Sequence, residues 1–126
     1  MINKNIADAH ARRFLVVDDD EDFINDLVEL IRKMGHVVVG KAQDGAQAME
    51  VFSRDMENID IVLMDIMMPQ KNGIAAAGDI RRIAPSMKII LMSGNTKNEG
   101  LVSELKGVGF LKKPFNSEAI LAHLDL

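Results

Sequence analysis

Three short apolar runs, each ending in charge, constrain this chain more than any other feature. Phe14-Leu15-Val16-Val17 ends in Asp18-Asp19, Ile61-Val62-Leu63-Met64 ends in Asp65, and Gly109-Phe110-Leu111-Lys112 ends in Lys113-Pro114. Strands buried on both faces of a parallel sheet read as short continuous apolar runs rather than as alternating ones. In an open α/β sheet, ligands sit outside the carboxyl ends of the strands. If the three runs are neighbouring strands, three carboxylates and one ammonium meet at one edge. Carboxylates that close repel unless a cation joins them, and clustered oxygens suit a hard cation such as Mg2+. That chemistry suits a phosphoryl group.

Helices are expected between the strands. The first strand is read over Phe14–Val17. Asp20 and Glu21 then open a helix, where negative charge suits the N-terminal end of the dipole. Phe23, Ile24, Leu27, Leu30, Ile31 and Met34 recur at helical spacing, and Gly35 can terminate the helix. A second strand is read over His36–Gly40. Asp44 is a candidate N-cap for a helix over Gly45–Met56, with Ala48, Met49 and Phe52 inward. A third strand covers Ile59–Met64, and Pro69 with Asn72-Gly73 marks the loop after it. A third helix is read over Ile74–Ile83, stopped by Pro85, and a fourth strand over Lys88–Met92. Gly100 weakens the helix expected within Asn95–Lys106. The fifth strand is Val108–Lys112, and a last helix starts at Asn116 or Ser117.

Five β-α units with right-handed crossovers give an α/β fold: a parallel sheet with helices on both faces. For five strands the flavodoxin-like order 2-1-3-4-5 is the common solution, and it sets strands one and three side by side at the switch point. Asp18, Asp19 and Asp65 then meet there, with strands four and five delivering Ser93 and Lys113.

The length of 126 residues fits one domain, read as residues 13–126 behind a flexible polar lead-in over 1–12. The net charge of −4 argues against nucleic acid as a direct partner, and the pairs Arg12-Arg13, Arg81-Arg82 and Lys112-Lys113 are too short to form a basic stripe. The chain has no cysteine, which excludes disulfides, thiolate catalysis and zinc–thiolate sites. No apolar run approaches the ~18–20 residues of a membrane span, and residues 1–13 lack an apolar signal core. The expectation is a soluble cytoplasmic protein without a membrane partner.

Four pieces in order carry a family resemblance: Leu15-Val16-Val17-Asp18-Asp19-Asp20; Val62-Leu63-Met64-Asp65-Ile66-Met67-Met68-Pro69 followed by Asn72-Gly73; Ile90-Leu91-Met92-Ser93-Gly94; and Phe110-Leu111-Lys112-Lys113-Pro114-Phe115. Over about residues 13–120 the chain resembles the receiver domain of two-component response regulators. The resemblance implies that Asp65 is the phosphoacceptor. It implies that Asp18, Asp19, Asp65 and the backbone carbonyl of Met67 hold Mg2+, that Lys113 pairs with the phosphoryl oxygens, and that Ser93 bonds the phosphoryl group once it arrives. Phe110 resembles the aromatic residue that turns inward on activation. The implied donor is a sensor histidine kinase or a histidine phosphotransfer protein, and the reader is a downstream protein target. The implied signal is a conformational switch on the face of the fourth helix, fifth strand and fifth helix, in a monomer or a weak phosphorylation-dependent dimer. There is no separate substrate, so the chain is not expected to be an enzyme. A phosphatase with an aspartyl-phosphate intermediate places a second acid two residues past the nucleophile, where this chain has Met67.

Plainer readings exist for each residue. The acidic run Asp18–Asp22 fits a helix-start cluster, Ser93 a turn hydroxyl, and Phe110 plain core. The nine methionines read as core filler, with Met67 and Met68 the exceptions beside Asp65. His10, His36 and His123 lie on no shared motif. The stretch from Ser93 to Lys113 is short for the family and holds Gly94, Gly100, Gly107 and Gly109. It implies a short, shifted or mobile fourth helix, which weakens the case for the common dimer through that face. It also motivates the alternative of a pseudo-receiver, an interaction module that does not switch. The sequence is expected to be a stand-alone domain or one ending at a domain boundary, without an output domain.

Overall fold

In the computed structural model, which describes residues 11–124, strands and helices alternate as the pattern of apolar runs requires. The elements are β1 (Arg13–Val17), α1 (Glu21–Lys33), β2 (Val37–Ala42), α2 (Gly45–Asp55), β3 (Ile61–Asp65), α3 (Gly73–Ile83), β4 (Lys88–Ser93), α4 (Lys97–Ser103), β5 (Val108–Lys112) and α5 (Ser117–Leu124), with a 3-10 turn over Met56–Asn58. The lead-in expected over 1–12 lies outside the described residues except for Ala11 and Arg12. No helix among the described residues is long and apolar enough to cross a membrane.

All four strand pairs are parallel and the order is β2-β1-β3-β4-β5, the flavodoxin-like order expected. Alternate residues of the central strands face opposite sides. Leu15, Val17, Val62, Met64, Ile89 and Leu91 pack with α2, α3 and α4 through Phe52, Ile80 and Val102. Phe14, Val16, Ile61, Leu63, Ile90 and Met92 pack with α1 and α5 through Ile24, Leu27, Ile31, Ile120 and Leu124. Both faces of β1, β3 and β4 are covered, which is why their sequences are uninterrupted apolar runs.

The helices start where short polar side chains meet free backbone amides. Asp20 Oδ1 accepts from the Phe23 amide at 3.1 Å, Asp44 Oδ1 from Gln47 at 2.7 Å, Asn72 Oδ1 from Ala75 at 2.9 Å and Asn116 Oδ1 from Ala119 at 3.0 Å. The last of these decides between Asn116 and Ser117 as the cap of α5. Gly35 follows α1 with φ +89°, a left-handed residue at the helix end as its position implied.

Several boundaries differ from the sequence reading, most of them by a single residue. β2 begins one residue later than expected and continues to Ala42, because Lys41 and Ala42 pair with Val16 and Val17. It is an edge strand with alternating exposure, so polar Lys41 is no barrier. β3 begins at Ile61 rather than Ile59, since the Ile59 amide bonds back to Met56 and closes the 3-10 turn. Asp60 instead accepts from the Arg13 guanidinium at 3.0 Å. Within the weak fourth-helix segment only Lys97–Ser103 is helical, with Val102 its one buried residue.

Arg81 makes up for the shortness of α4. Its guanidinium donates to the carbonyls of Met87, Lys106 and Gly107 at 2.9–3.0 Å, tying α3 to the turns that lead into β4 and β5.

His36 closes the opposite end of the sheet. Its Nδ1 accepts from the Arg12 amide at 2.9 Å, and burial, aided by the Arg12 charge, lowers its pKa below the usual 6.5. The folded state therefore takes up a proton at lower pH than the unfolded chain, so stability falls as pH drops below about 6.5. A His36→Asn variant is expected to lose that part of the acid slope in a series of denaturant midpoints. An identical slope in variant and wild type would remove His36 as its source.

Candidate functional site

The C-terminal ends of β1, β3, β4 and β5 bring together residues far apart in sequence. Asp18 follows β1, and its amide donates to the Ala42 carbonyl at 3.0 Å. Asp65 is the last residue of β3, in register with Met92, and the next amide, of Ile66, donates to the Met92 carbonyl at 2.9 Å. Ser93 ends β4, and its carbonyl accepts from the Lys113 amide at 2.9 Å. The sheet's own hydrogen bonds thus fix the relative heights of Asp65, Ser93 and Lys113.

Asp18, Asp65 and Ser93 are the buried polar residues among those described, at 1%, 5% and 1% exposure. Asp19 is exposed beside them. One carboxylate oxygen from each of Asp18, Asp19 and Asp65 lies within 4.8 Å of the others. Lys113 Nζ sits 2.6 Å from Asp18 Oδ2 and 3.4 Å from Asp65 Oδ1. The second Asp18 oxygen accepts from the Asp20 amide at 2.9 Å.

One ammonium is set against three carboxylates, and the imbalance is visible at Asp65. Its burial, reinforced by the Asp18 charge, pushes its pKa up to about 6, against the opposing pull of Lys113. A site of hard oxygen donors with surplus negative charge fits a divalent hard cation. The residues present therefore suit Mg2+, with Asp18, Asp19 and Asp65 as the side chains that could hold it.

The structure brings Asp18, Asp19, Asp65 and Lys113 together, with Ser93 at the end of the neighbouring strand β4. Met67 is exposed on the loop beyond Asp65, as anticipated, whereas Met68 is half-buried against the core on the α2–α4 side. Phe110 lies on β5 opposite Leu91, half-buried against the same side. Its carbonyl accepts from His123 Nε2 at 3.1 Å.

Three contributors were not legible in the sequence. Phe23 of α1 lies under Lys113, its ring centre 4.2 Å from Nζ, and is itself met edge-on by Phe115 at 6.0 Å. The ring holds the ammonium by a cation–π contact and screens it from solvent. Gly73 passes so close to the Asp65 backbone that a Cβ there would collide with it. Asn98 of α4 donates to Ser93 Oγ at 2.9 Å, beside the Asn95 amide at 3.0 Å. A polar residue five positions past Ser93 was the one sequence signal for that contact.

Fold and site together define an open, doubly wound α/β protein with an acidic, lysine-bearing cleft at the switch point of its sheet. The model of the response regulator receiver domain matches residues 14–125, and the chain belongs to that family of signalling modules. It is 34% identical over 126 residues to the transcriptional regulatory protein PdtaR of Mycobacterium tuberculosis, an alignment that takes in 95% of this chain but 58% of that protein. It is 34% identical over 116 residues to the chemotaxis protein CheY of Thermotoga maritima, covering 90% of this chain and 95% of CheY. Among solved structures, a chain of the CheX–CheY–BeF3–Mg2+ complex from Borrelia burgdorferi superposes with a TM-score of 0.83 at 29% identity, covering 90% of this chain and 86% of that one.

Proposed function

We propose that this receiver domain accepts a phosphoryl group on Asp65 and relays its presence to a protein target. The observation that carries this is the buried Asp65 carboxylate held beside two further carboxylates and one ammonium at the switch point. An Asp65 oxygen forms a bond to phosphorus as the bond from phosphorus to the donor's leaving atom breaks, giving an acyl phosphate. Hydrolysis by water later returns the carboxylate and inorganic phosphate. Such a transfer needs positioning and cationic stabilisation more than covalent chemistry.

Asp18, Asp19, Asp65 and the Met67 carbonyl are the groups that hold Mg2+ in this reading. When bound, the ion supplies positive charge to the phosphoryl oxygens. Lys113, already 3.4 Å from Asp65, supplies the second cation. Ser93 donates its hydroxyl proton to a phosphoryl oxygen. Phe110 moves into the space that Ser93 leaves, and so changes the α4–β5–α5 face. The donor is a histidine kinase or a histidine phosphotransfer protein of the cytoplasm, and the reader is a protein that distinguishes the two forms of that face.

Intact mass after incubation with acetyl phosphate tests the reading. One phosphoryl group is expected on the wild type with Mg2+, and none without the metal or in Asp65→Asn. No adduct on the wild type would leave a non-switching interaction module as the better account.

Met67, two residues past Asp65, carries a bulky apolar side chain that is 64% exposed. Met67→Asn is expected to speed loss of the phosphoryl group roughly five- to tenfold, a barrier change near 1 kcal/mol, by admitting and orienting water. Decay followed by mass spectrometry checks this, and an unchanged half-life would dismiss the role.

A further inference from the structure

Ser93 Oγ is buried, and both of its lone pairs are occupied. One takes the Asn95 amide at 3.0 Å, and the other takes Asn98 Nδ2 at 2.9 Å. A hydroxyl has one proton to donate and two lone pairs to accept with. Ser93 is thus held by two donors, one just before α4 and one in its first turn, and Asp65 is not among its hydrogen-bond partners.

The segment holding both donors has few other ties to the sheet. Val102 is the one buried residue of α4, and its N-cap residue Thr96 makes no capping bond through its side chain. Asn95 Oδ1 accepts from the Lys97 amide, which orders the first turn internally without anchoring it. Asn98 is therefore the side chain that fastens the first turn of α4 to the end of β4.

We propose that Asn98 is a positioning residue, a latch that holds the Ser93 hydroxyl toward α4 and is released when that hydroxyl turns to a phosphoryl oxygen on Asp65. The inference rests on the phosphoacceptor reading and adds the element by which occupancy of Asp65 reaches α4. Rotation of Ser93 about its Cα–Cβ bond carries Oγ away from Asn98. The Asn98 amide then has no partner in the sheet and goes to water, and the first turn of α4 loosens with it. Breaking the latch opposes phosphorylation, so by linkage its removal favours the occupied state.

The test uses Asn98→Leu, Ser93→Ala and the double variant. In the metal-free, unphosphorylated protein, Asn98→Leu is expected to speed amide exchange across α4 about fivefold, the factor of one net hydrogen bond. In the Ser93→Ala background the same substitution is expected to add nothing, since the bond is already gone. Beryllofluoride with Mg2+, as a phosphoryl analogue, is expected to bind Asn98→Leu about fivefold more tightly than wild type, which a merely structural defect would not produce. Unchanged α4 exchange, additive effects in the double variant, or equal or weaker beryllofluoride binding would each overturn the latch while leaving wild-type labelling intact. A wild type that takes up neither acetyl phosphate nor beryllofluoride would overturn the phosphoacceptor reading, and the coupling with it.

Discussion

Asp65→Asn is expected to melt roughly 10 °C above the wild type at pH 7.5 in the absence of divalent metal, even though it removes the phosphoacceptor of the proposed function. The cause is charge crowding. Burial and the neighbouring Asp18 raise the pKa of Asp65 from 3.8 to about 6. The unfolded chain gives up this proton near pH 4, whereas the folded chain keeps it until near pH 6, so stability falls as pH rises between those values. At about 1.4 kcal/mol per pH unit, the cost above pH 6 is about 3 kcal/mol. Asparagine keeps the shape and carries no charge, so it recovers that amount at pH 7.5 and little of it at pH 4. Millimolar Mg2+ should raise the wild type toward the variant, since a ligand of the folded state stabilises it by mass action. Thermal melts at both pH values, with and without Mg2+, check each part. A variant that melts below the wild type at pH 7.5 without metal would contradict the charge-crowding account.

Gly73→Ala is expected to be the most damaging small substitution near the site. A Cβ at Gly73 would lie inside contact distance of the Asp65 carbonyl oxygen and 3.0 Å from its carbonyl carbon and from Ile66 Cα. These are backbone atoms at the end of β3 and of the residue after it, and cannot swing aside as a side chain can. Relief requires moving the start of α3, where the Gly73 amide donates to the Ile66 carbonyl at 2.9 Å and Asn72 caps the first turn. A loss of about 3 kcal/mol is expected, at the upper end for an added methyl in a packed site. Labelling by acetyl phosphate should slow up to about 100-fold, because a shift near 1 Å at the acceptor is enough for that. Gly78, in the same helix, has open space where its Cβ would go. Gly78→Ala should be neutral or stabilise by up to about 1 kcal/mol. Denaturant midpoints and labelling rates of the two variants side by side separate collision from helix propensity. Equal effects at both positions would rule out the collision.

What the sequence made legible follows from burial. β1, β3 and β4 are covered on both faces, so their residues are uniformly apolar, and the polar residue that ends each run marks the edge of the sheet. Asp18, Asp65 and Ser93 were found for that reason. β2 was ended too early because an edge strand needs no apolar signature at Lys41. The start of β3 was misjudged because Ile59 is apolar and buried for another purpose, closing the 3-10 turn. Phe23 beneath Lys113 read as one more apolar position of α1, since nothing local distinguishes a ring that packs on a methylene from one that faces an ammonium. Asn98 and Arg81 act across gaps of 5 and 25 residues. Such contacts exist only once strands and helices have been placed, and no periodicity encodes them.

The pairing of Lys113 with Asp18 joins residues 95 positions apart. During synthesis, Asp18, Asp19 and Asp65 emerge well before the lysine that partly neutralises them. A chain that has not yet laid down β5 holds acidic groups without their built-in counter-charge, and its sheet ends at an uncovered β4. Competence at the site is therefore a property of the finished domain. A nascent or clipped chain lacking β5 has the carboxylates without the lysine, and so lacks the arrangement on which the proposed phosphoacceptor role depends.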